Sequence, residues 1–455
     1  MQGISVKEIL EATGGRLVGA FDTNRTICAV ETDSRRIKTG ALFVPLSGDK
    51  FDGHDYIGAA LESGALGCLT SKEVEEPRSD KFYIRVGDTR LALKALASWY
   101  RGNFNIPFIQ ITGSVGKTTT KEMIAAVLGE GFNVLKTPEN FNNDVGVPKT
   151  LFMLEQAHEA AVIETGMNHF GEIRYLGEMV RPDIAVISNI GDAHIEFLGS
   201  REGILKAKCE IFENLKKGGT AILNGDDELL NTVNVPFETH RCGRGKNCDV
   251  RVTAVEDRGM DGINCTVTTG KARYELAVPA PGLHMIYAAS MAVAVGEKLG
   301  MTKAEIESGV AHYEPTGERM RIISMSGGRK IISDCYNANP QSMSAAIEIL
   351  AGTDSKKRIA ILGDMGELGE LSKRAHEVVG RLCGESHIDV VIAVGVRAED
   401  VAAGAGLYDG VRVYSFDTKE EAYETARAEF TENSTVLVKA SHAMQFGEIV
   451  RELQK

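Results

Sequence analysis

The 455-residue sequence has no excess of basic residues, no long apolar run and no paired CxxC cysteines. Its 51 Lys and Arg against 63 Asp and Glu give a net charge of −12, which argues against a nucleic-acid-binding surface. No run approaches the ~20 apolar residues that span a bilayer. The first residues also lack the apolar core of an export signal. We therefore expect a cytoplasmic protein without a membrane span.

The eight cysteines are scattered along the chain, which predicts reduced and mostly packed thiols. A small loop closed by a Cys242–Cys248 disulfide is the alternative. The composition, 43% hydrophobic and 25% charged, is that of a globular protein. The length suggests about three domains of roughly 150 residues each.

A glycine-rich segment joins a short apolar strand, predicted over 108–111, to an amphipathic helix that begins at Lys117. Backbone N–H groups in such a loop face an anion, and the start of the helix adds partial positive charge. Lys117 is therefore predicted to reach the terminal phosphates of a nucleotide, and Thr118 to offer its hydroxyl to Mg²⁺. The predicted phosphate-binding residues are Gly113, Ser114, Val115, Gly116, Lys117, Thr118 and Thr119.

This loop is shorter than the general phosphate-binding pattern, which has a glycine five residues before Gly116, where this chain has Ile111. The sequence does not match the general pattern, but the strand, turn and helix follow one another in the order that a phosphate-binding site requires. A glycine turn followed by an unrelated lysine is the alternative.

Further apolar runs at 160–166, 184–190 and 220–227 alternate with helical segments, which predicts a parallel sheet covered on both faces. Ligands of such sheets lie at the carboxyl ends of the strands. The glycine loop, Glu164 and His194 all fall at such ends. Their convergence predicts a metal–nucleotide site, although a lone Glu or His at a strand end is more often structural.

Turn signals divide the chain into predicted domains 1–102, 103–315 and 316–455. The central domain carries the glycine loop and a small antiparallel excursion of short β runs near 249–278. The third is again a parallel α/β domain, without a phosphate loop of that kind. In the first, polar residues on turns could grip a ribose or phosphate, or could be solvated turns; they are Ser34, Arg35, Asp52 and His54.

Several motifs follow one another in an order that resembles the Mur ligase and folylpolyglutamate synthetase superfamily over essentially the whole chain. Within it, they are similar to the branch that adds a D-alanyl-D-alanine dipeptide. The motifs are TGSVGKTT at 112–119, TDSR at 32–35 with ALFVPLSG at 41–48 and DGH at 52–54, NFNNDVGVP at 140–148, NIGDAH at 189–194, AKCEIF at 207–212, DCYNANPQSM at 334–343, and LGDMGELG at 362–369 with His376.

The resemblance implies three α/β domains: a small UDP-substrate domain, a central P-loop-type ATPase domain, and a C-terminal Rossmann-like domain that closes over the nucleotide. It implies an ATP-dependent amide ligase that joins D-Ala-D-Ala to a UDP-muramoyl-tripeptide in cytoplasmic peptidoglycan precursor synthesis. The substrates would be small molecules, and we expect a monomer. The third residue of the tripeptide, lysine or diaminopimelate, stays open.

The resemblance also implies roles for individual residues. ATP and two Mg²⁺ ions would be held by Thr118, Glu164 and His194 with Lys117, by Arg319 at the γ-phosphate and by Asp334 at the ribose. Substrate contacts would come from the first-domain turns, from Asn140, Asn142 and Asn143 in the polar loop, and from Asn339 and Ser342 beside the nucleotide contact Asn337. Helix capping is the alternative for Asn339 and Ser342.

Lys208 has two readings. By composition it is a lysine on a helix predicted over 204–215, where a solvated face is the ordinary expectation. By resemblance it takes the position of a lysine that reacts with CO₂ to form a carbamate, an anion able to hold the second Mg²⁺. Such a reaction requires a neutral amine.

Three positions depart from the family pattern. Ala288 stands where an Asn contacts adenine, and Ala cannot make that pair of hydrogen bonds. His442 stands where an Arg is usual, so a charge there requires protonation. Glu318 stands beside Arg319 where Gly is common. These departures predict an unusual nucleotide affinity or preference.

Other functions remain open at this point. Another amino-acid ligase of the superfamily is the nearest alternative. A P-loop kinase or a nucleotide-binding regulatory protein is the alternative from a different class.

Overall fold

The computed structural model describes residues 1–48, 50–317 and 319–455. The expectation about Glu318 therefore lies outside the described residues. The predicted α/β class is confirmed, and the main sheets follow one another along the chain. Within the described residues, no helix combines the length and apolar character needed to cross a membrane.

The N-terminal region is built on a small mixed sheet with strand order β2-β9-β8-β5-β4. Helix α1 begins where Ser5 and Glu8 form a capping box and ends at Gly14, whose φ of 64° suits glycine. The elements are β1 (Ile4–Ser5), α1 (Val6–Thr13), β2 (Arg16–Val18), β3 (Thr26–Ile27), β4 (Val30–Glu31), β5 (Leu42–Phe43), β6 (Ser47–Gly48), β7 (Phe51–Asp52), α2 (Ile57–Glu62), β8 (Gly67–Thr70), β9 (Phe82–Arg85) and α3 (Thr89–Gly102).

The central region contains a large sheet with strand order β11-β12-β10-β13-β14-β15-β16-β17-β18. Its elements are β10 (Phe108–Thr112), α4 (Lys117–Gly129), β11 (Val134–Lys136), α5 (Gly146–Leu151), β12 (Ala160–Glu164), α6 (Glu172–Val180), β13 (Ile184–Ile187), α7 (Ile195–Leu198), α8 (Arg201–Cys209), β14 (Thr220–Asn224), β15 (Glu238–Gly243), β16 (Val250–Asp257), β17 (Ile263–Thr268), β18 (Arg273–Val278), α9 (Met285–Lys298) and α10 (Lys303–Ala311).

The strands from β11 to β16 run parallel, and β16, β17 and β18 pair antiparallel. The predicted antiparallel excursion is therefore confirmed, and it extends the parallel sheet. Helix α8 begins earlier than predicted, because the Ser200 side chain caps the N–H of Gly203. The chain then continues as a tighter 3₁₀ turn over Glu210–Asn214, where the prediction had one longer helix.

The C-terminal region has a sheet with strand order β19-β20-β24-β21-β22-β23. All neighbours run parallel except the β19–β20 hairpin, whose short connection permits only the antiparallel arrangement. The elements are β19 (Arg321–Ser324), β20 (Lys330–Asp334), α11 (Pro340–Ala351), β21 (Lys357–Gly363), α12 (Ser372–Glu385), β22 (Val390–Val394), α13 (Ala398–Ala405), β23 (Arg412–Phe416), α14 (Lys419–Glu429), β24 (Ser434–Lys439) and α15 (Gly447–Leu453).

Apolar packing joins the N-terminal region to the central sheet. Leu93, Leu96 and Tyr100 of α3 share one buried cluster with Phe108 and Ile163 of the central strands. The opposite face of the central sheet is covered by α4 and α9. The cysteines form no disulfide in the part of the chain that the structure describes, so the Cys242–Cys248 alternative is not realised.

Candidate functional site

The glycine loop lies between β10 and α4, as predicted. A side chain at Gly113 would place its Cβ 1.9 Å from the Ser188 hydroxyl oxygen. Gly116 has a φ of 78° at the start of α4. Both positions therefore require glycine, one for space and the other for its backbone conformation.

The segment after β13 holds this loop in place. The N–H groups of Ser114 and Val115 donate to the backbone oxygen and Oδ1 of Asn189, at 3.1 and 2.8 Å. The N–H of Gly191 donates to Ser114 Oγ at 2.8 Å. Because these bonds occupy the N–H groups of Ser114 and Val115, an anion would face the residues that start α4.

Lys117 folds back over the loop, and its Nζ donates to the Gly113 carbonyl at 2.8 Å. Burial lowers the pKa of Lys117 and the Arg319 charge lowers it further, while the Glu164 carboxylate opposes the shift. The opposing influences of Glu164 and Arg319 indicate that charges from the central and C-terminal regions act on this ammonium group.

Glu164 ends β12 with 1% of its surface exposed. Its carboxylate accepts from Thr118 Oγ1 and from Asn142 Nδ2, both at 2.9 Å. Its own N–H donates to Thr137 Oγ1 at 3.0 Å. The structure thus brings together Thr118, Glu164 and Asn142, which the sequence predicted as site residues.

Oxygen donors at this point suit Mg²⁺. The described ranges contain no cluster of three His, Cys, Asp or Glu side chains that could cage a metal ion. Mg²⁺ does not need such a cage, because it keeps several waters and binds through one or two protein oxygens plus substrate phosphates. The buried Thr118–Glu164 pair fits that mode of binding.

His194 follows β13 with a φ of 66°, a conformation that few non-glycine residues adopt. Its Nδ1 lies 2.5 Å from Oε2 of Glu367 in the C-terminal region. The sequence analysis did not single out Glu367, although the motif at 362–369 contains it.

Lys208 is buried on α8 with 1% of its surface exposed, so the expected solvated face is wrong. Burial lowers the pKa of Lys208 well below its ordinary value, and the nearby Lys117 charge adds to the effect. No side-chain hydrogen bond or ion pair joins it to another of the described residues. A neutral amine is the form that reacts with CO₂. Lys206, on the same helix, is exposed.

A cavity of about 500 Å³ lies between the central and C-terminal regions. Most predicted site residues line it: Ser114, Val115, Gly116, Lys117, Thr118, Thr119, Asn142, Asn143, Glu164, His194, Arg319, Asp334, Asn337, Asn339 and Ser342. Gly113 and buried Lys208 are not among its described lining residues, although the Lys117 charge acts on Lys208, and Asn140 lies beside the Tyr336 hydroxyl.

The C-terminal side of the cavity contains interactions that the sequence did not reveal. Asp334, predicted for the ribose, forms a close ion pair with buried Lys439, whose Nζ also donates to the Asn337 carbonyl at 2.9 Å. The Arg319 guanidinium stacks 3.8 Å from the centre of the Tyr336 ring. Because Asp334 Oδ2 pairs with Lys439, the capacity of the Asp334 carboxylate to bind a ligand is reduced.

Asn339 and Ser342 cap helix α11 while lining the cavity. Asn339 Oδ1 accepts from the Ser342 N–H at 2.9 Å, and Ser342 Oγ accepts from the Asn339 N–H at 3.1 Å. Their capping role, the alternative in the sequence analysis, is thus realised. The reciprocal cap also explains why the helix starts at Pro340.

The first turn of α9 forms another part of the lining through His284, Tyr287 and Ala288. The Tyr287 hydroxyl donates to Asp226 at 3.0 Å. Burial lowers the pKa of His284, against the pull of Asp334. His442 is exposed, and its ring centre lies 5.6 Å from that of Tyr336.

The predicted residues of the N-terminal region form local networks apart from this cavity. Arg35 forms an ion pair with Asp33 at 2.7 Å beside Ser34, and its side chain is 87% exposed. Asp52 pairs with Lys72 at 2.7 Å and with His54 Nδ1 at 2.6 Å. The hydrogen bond and charge of Arg35 lower the pKa of Asp33 to about 2.

The chain is similar to known proteins along its whole length. The family descriptions that match are "Mur ligase family, catalytic domain" at 26–101, "Mur ligase middle domain" at 111–296 and "Mur ligase, glutamate ligase domain" at 318–442. A UDP-N-acetylmuramoyl-tripeptide–D-alanyl-D-alanine ligase from Bacillus subtilis is 36% identical over 99% of this chain and 98% of the relative.

Solved structures agree with these matches. The crystal structure of MurF from Acinetobacter baumannii aligns with a TM-score of 0.91 and 30% identity, covering 100% of this chain and 99% of that one. The MurF ligase from Thermotoga maritima in complex with ADP aligns with a TM-score of 0.83 and 28% identity, covering 94% and 97%.

Proposed function

The chain belongs to the Mur ligase family, and we propose that it joins D-alanyl-D-alanine to a UDP-N-acetylmuramoyl-tripeptide with conversion of ATP to ADP and phosphate. The observation that carries this proposal is the cavity of about 500 Å³ between the central and C-terminal regions. One side of it has the glycine loop with Glu164, and the other has Arg319, Asn337 and Asn339. Such a cavity can hold a triphosphate against two further reactants.

A carboxylate is a poor electrophile, so the terminal carboxylate of the tripeptide must first gain a leaving group. Transfer of the γ-phosphoryl group supplies it as an acyl phosphate, and the neutral amine of the dipeptide then attacks through a tetrahedral intermediate. Positioning and charge neutralisation carry phosphoryl transfer. Lys117 and the N–H groups at the start of α4 would hold the β- and γ-phosphates, with Arg319 neutralising charge from the opposite side.

Metal binding would involve two places. Thr118 and Glu164 would hold one Mg²⁺ at the phosphates. His194 would hold a second, together with Lys208 once its neutral amine has reacted with CO₂ to form a carbamate. The burial of Lys208 and its lowered pKa support this reaction. A bound Mg²⁺ would stabilise the charge that develops on the transferring phosphoryl group.

The remaining predicted residues would bind the substrates. Ser34, Arg35, Asp52 and His54 would contact the UDP-linked substrate, and Asn140, Asn142 and Asn143 the muramoyl-peptide end. Asn339 and Ser342 would meet the dipeptide, and Asp334 the ribose. The domain boundaries after 102 and 315 remain a prediction. We expect the enzyme to act as a monomer in the cytoplasm, where such precursors are made.

An amine screen tests this function. Phosphate release should require ATP, a UDP-muramoyl-tripeptide and D-Ala-D-Ala together, and single amino acids should not replace the dipeptide. Tripeptides ending in lysine and in diaminopimelate should be compared in parallel. Release with a single amino acid would identify another ligase of the family. Transfer of phosphate to a stable product would identify a kinase, and a lack of ATP turnover would identify a binding protein.

A further inference from the structure

Among the contacts between the C-terminal and central regions are those of the short segment 191–196, which follows β13. A Cβ placed on Gly191 would lie 1.8 Å from Oε1 of Gln341, so the Gln341 side chain packs directly on this glycine. A Cβ on Gly369 would lie 3.4 Å from Cγ of Glu196. Between these contacts, Nδ1 of His194 lies 2.5 Å from Oε2 of Glu367.

The backbone around Glu367 is fixed from several sides. Met365 and Leu368 are buried in the core of the C-terminal sheet. The Met365 N–H donates to Nε2 of His376 at 2.9 Å. The carboxylate of Asp364 accepts from the N–H groups of Val396 and Arg397 at 3.0 and 2.9 Å. Glu367 itself has a φ of 59°, which the surrounding structure must maintain. The backbone that carries Glu367 is therefore held at a defined place, while its side chain is 44% exposed.

The contact determines which nitrogen of His194 faces a ligand. His194 lines the cavity, and its Nδ1 lies 2.5 Å from Oε2 of Glu367 in an ion-pair contact that lacks hydrogen-bond alignment. An imidazole that donates its Nδ1–H to a carboxylate keeps the Nε2 lone pair free and keeps its ring in one orientation. Nε2 is then the atom left for a ligand in the cavity.

We propose that Glu367 is a positioning residue that fixes the His194 imidazole across the interface, so that His194 is oriented for its task only when the C-terminal region is docked on segment 191–196. The inference rests on the proposed function of this cavity. As a consequence, closure of the C-terminal region also orients the His194 side chain of the central region, because the Glu367 carboxylate connects the two.

Nuclear magnetic resonance of ¹⁵N-histidine-labelled full-length protein tests the contact in EDTA, without metal. A His194→Gln variant assigns the His194 signals. We expect wild-type His194 to show a protonated Nδ1 and an unprotonated Nε2. Glu367→Ala should shift these signals toward the averaged values of a free imidazole, and Glu370→Ala, which changes an exposed residue of the same loop, should not. Identical His194 signals in wild type and Glu367→Ala would overturn the proposal.

Steady-state kinetics supply the second measurement. Loss of a partner that orients a ligand typically costs about 10- to 100-fold in activity. We expect Glu367→Ala to lower kcat by that amount with little change in KM for the UDP-linked substrate, Glu367→Gln to lose less, and Glu370→Ala to match wild type. An unchanged kcat in Glu367→Ala would contradict the inference. Inactivity of the wild type would instead reject the proposed function, while the His194 signals would still decide the contact.

Discussion

The glycine-loop wall of the cavity and its α9 wall use polar groups in different ways. In the loop wall, Thr118 donates to the Glu164 carboxylate, and the Lys117 ammonium group is held by the Gly113 carbonyl. In the α9 wall, Ala288 has no polar group, and the Tyr287 hydroxyl is turned toward Asp226. From this difference we expect binding and catalysis to depend on the phosphates, with weak discrimination among bases.

The largest effect should come from the loop wall. Lys117→Met removes the charge that would neutralise the β- and γ-phosphates, so kcat/KM should fall by at least about 10³-fold, as for other groups that stabilise transferring phosphoryl groups. Phosphate release measures this loss, and circular dichroism checks the fold. Lys206→Met is the matched control on an exposed lysine and should keep wild-type activity. If Lys117→Met retained a tenth of the wild-type activity, the loop wall would not dominate activity over the α9 wall.

The second largest effect should come from Lys208. Lys208→Ala should lose about 10²-fold in kcat, because one of the charges that stabilise the transition state is gone. Short carboxylic acids added to the assay should restore part of the activity by supplying the missing carboxylate. Lys206→Ala, on the same helix, should keep wild-type kcat, and added carboxylic acids should not alter its activity. Full activity in Lys208→Ala would show that the buried amine has no role at the reaction centre.

A change of nucleotide should have a smaller effect. Since Ala288 cannot form hydrogen bonds with a base edge through its side chain, replacement of ATP by GTP should raise KM by less than about 10-fold, roughly the value of one hydrogen bond. The measurement is phosphate release over a range of GTP and ATP concentrations. A preference for ATP of several hundredfold would mean that other groups read the base.

The smallest change should come from giving the α9 wall a polar side chain. An Asn amide offers one acceptor and two donors to the edge of an adenine. Ala288→Asn should therefore lower KM for ATP by about threefold, within the net value of one hydrogen bond, and leave kcat unchanged. The ratio of kcat/KM for ATP to kcat/KM for GTP should therefore rise. An equal change for both nucleotides would count against base contact at this position.

The same two walls show what sequence can and cannot predict. The strand, loop and helix around Gly113 and Lys117 were predicted because glycine turns and helix starts are local. The strands β10, β12, β13 and β14 were also predicted, since continuous apolar runs define buried strands. Helix α3 was missed, although Asp88 caps it and its apolar face packs on the central sheet.

Contacts between distant segments could not be predicted from the sequence. Nothing local distinguishes buried Lys208 from exposed Lys206, because the packing of α8 decides which lysine turns inward. The pairing of Asp334 with Lys439 joins residues 105 positions apart. The contact of His194 with Glu367 depends on how two regions dock. The resemblance indicated the residues of the site, and the fold determined their partners.

The most direct test of the central claim follows an oxygen atom. If the tripeptide carboxylate takes the γ-phosphoryl group, attack of the amine leaves one carboxylate oxygen on the phosphate. With a UDP-muramoyl-tripeptide labelled with ¹⁸O in its terminal carboxylate, mass spectrometry should find one labelled oxygen in each phosphate released with D-Ala-D-Ala. Unlabelled phosphate, formed while the amide product accumulates, would contradict the account.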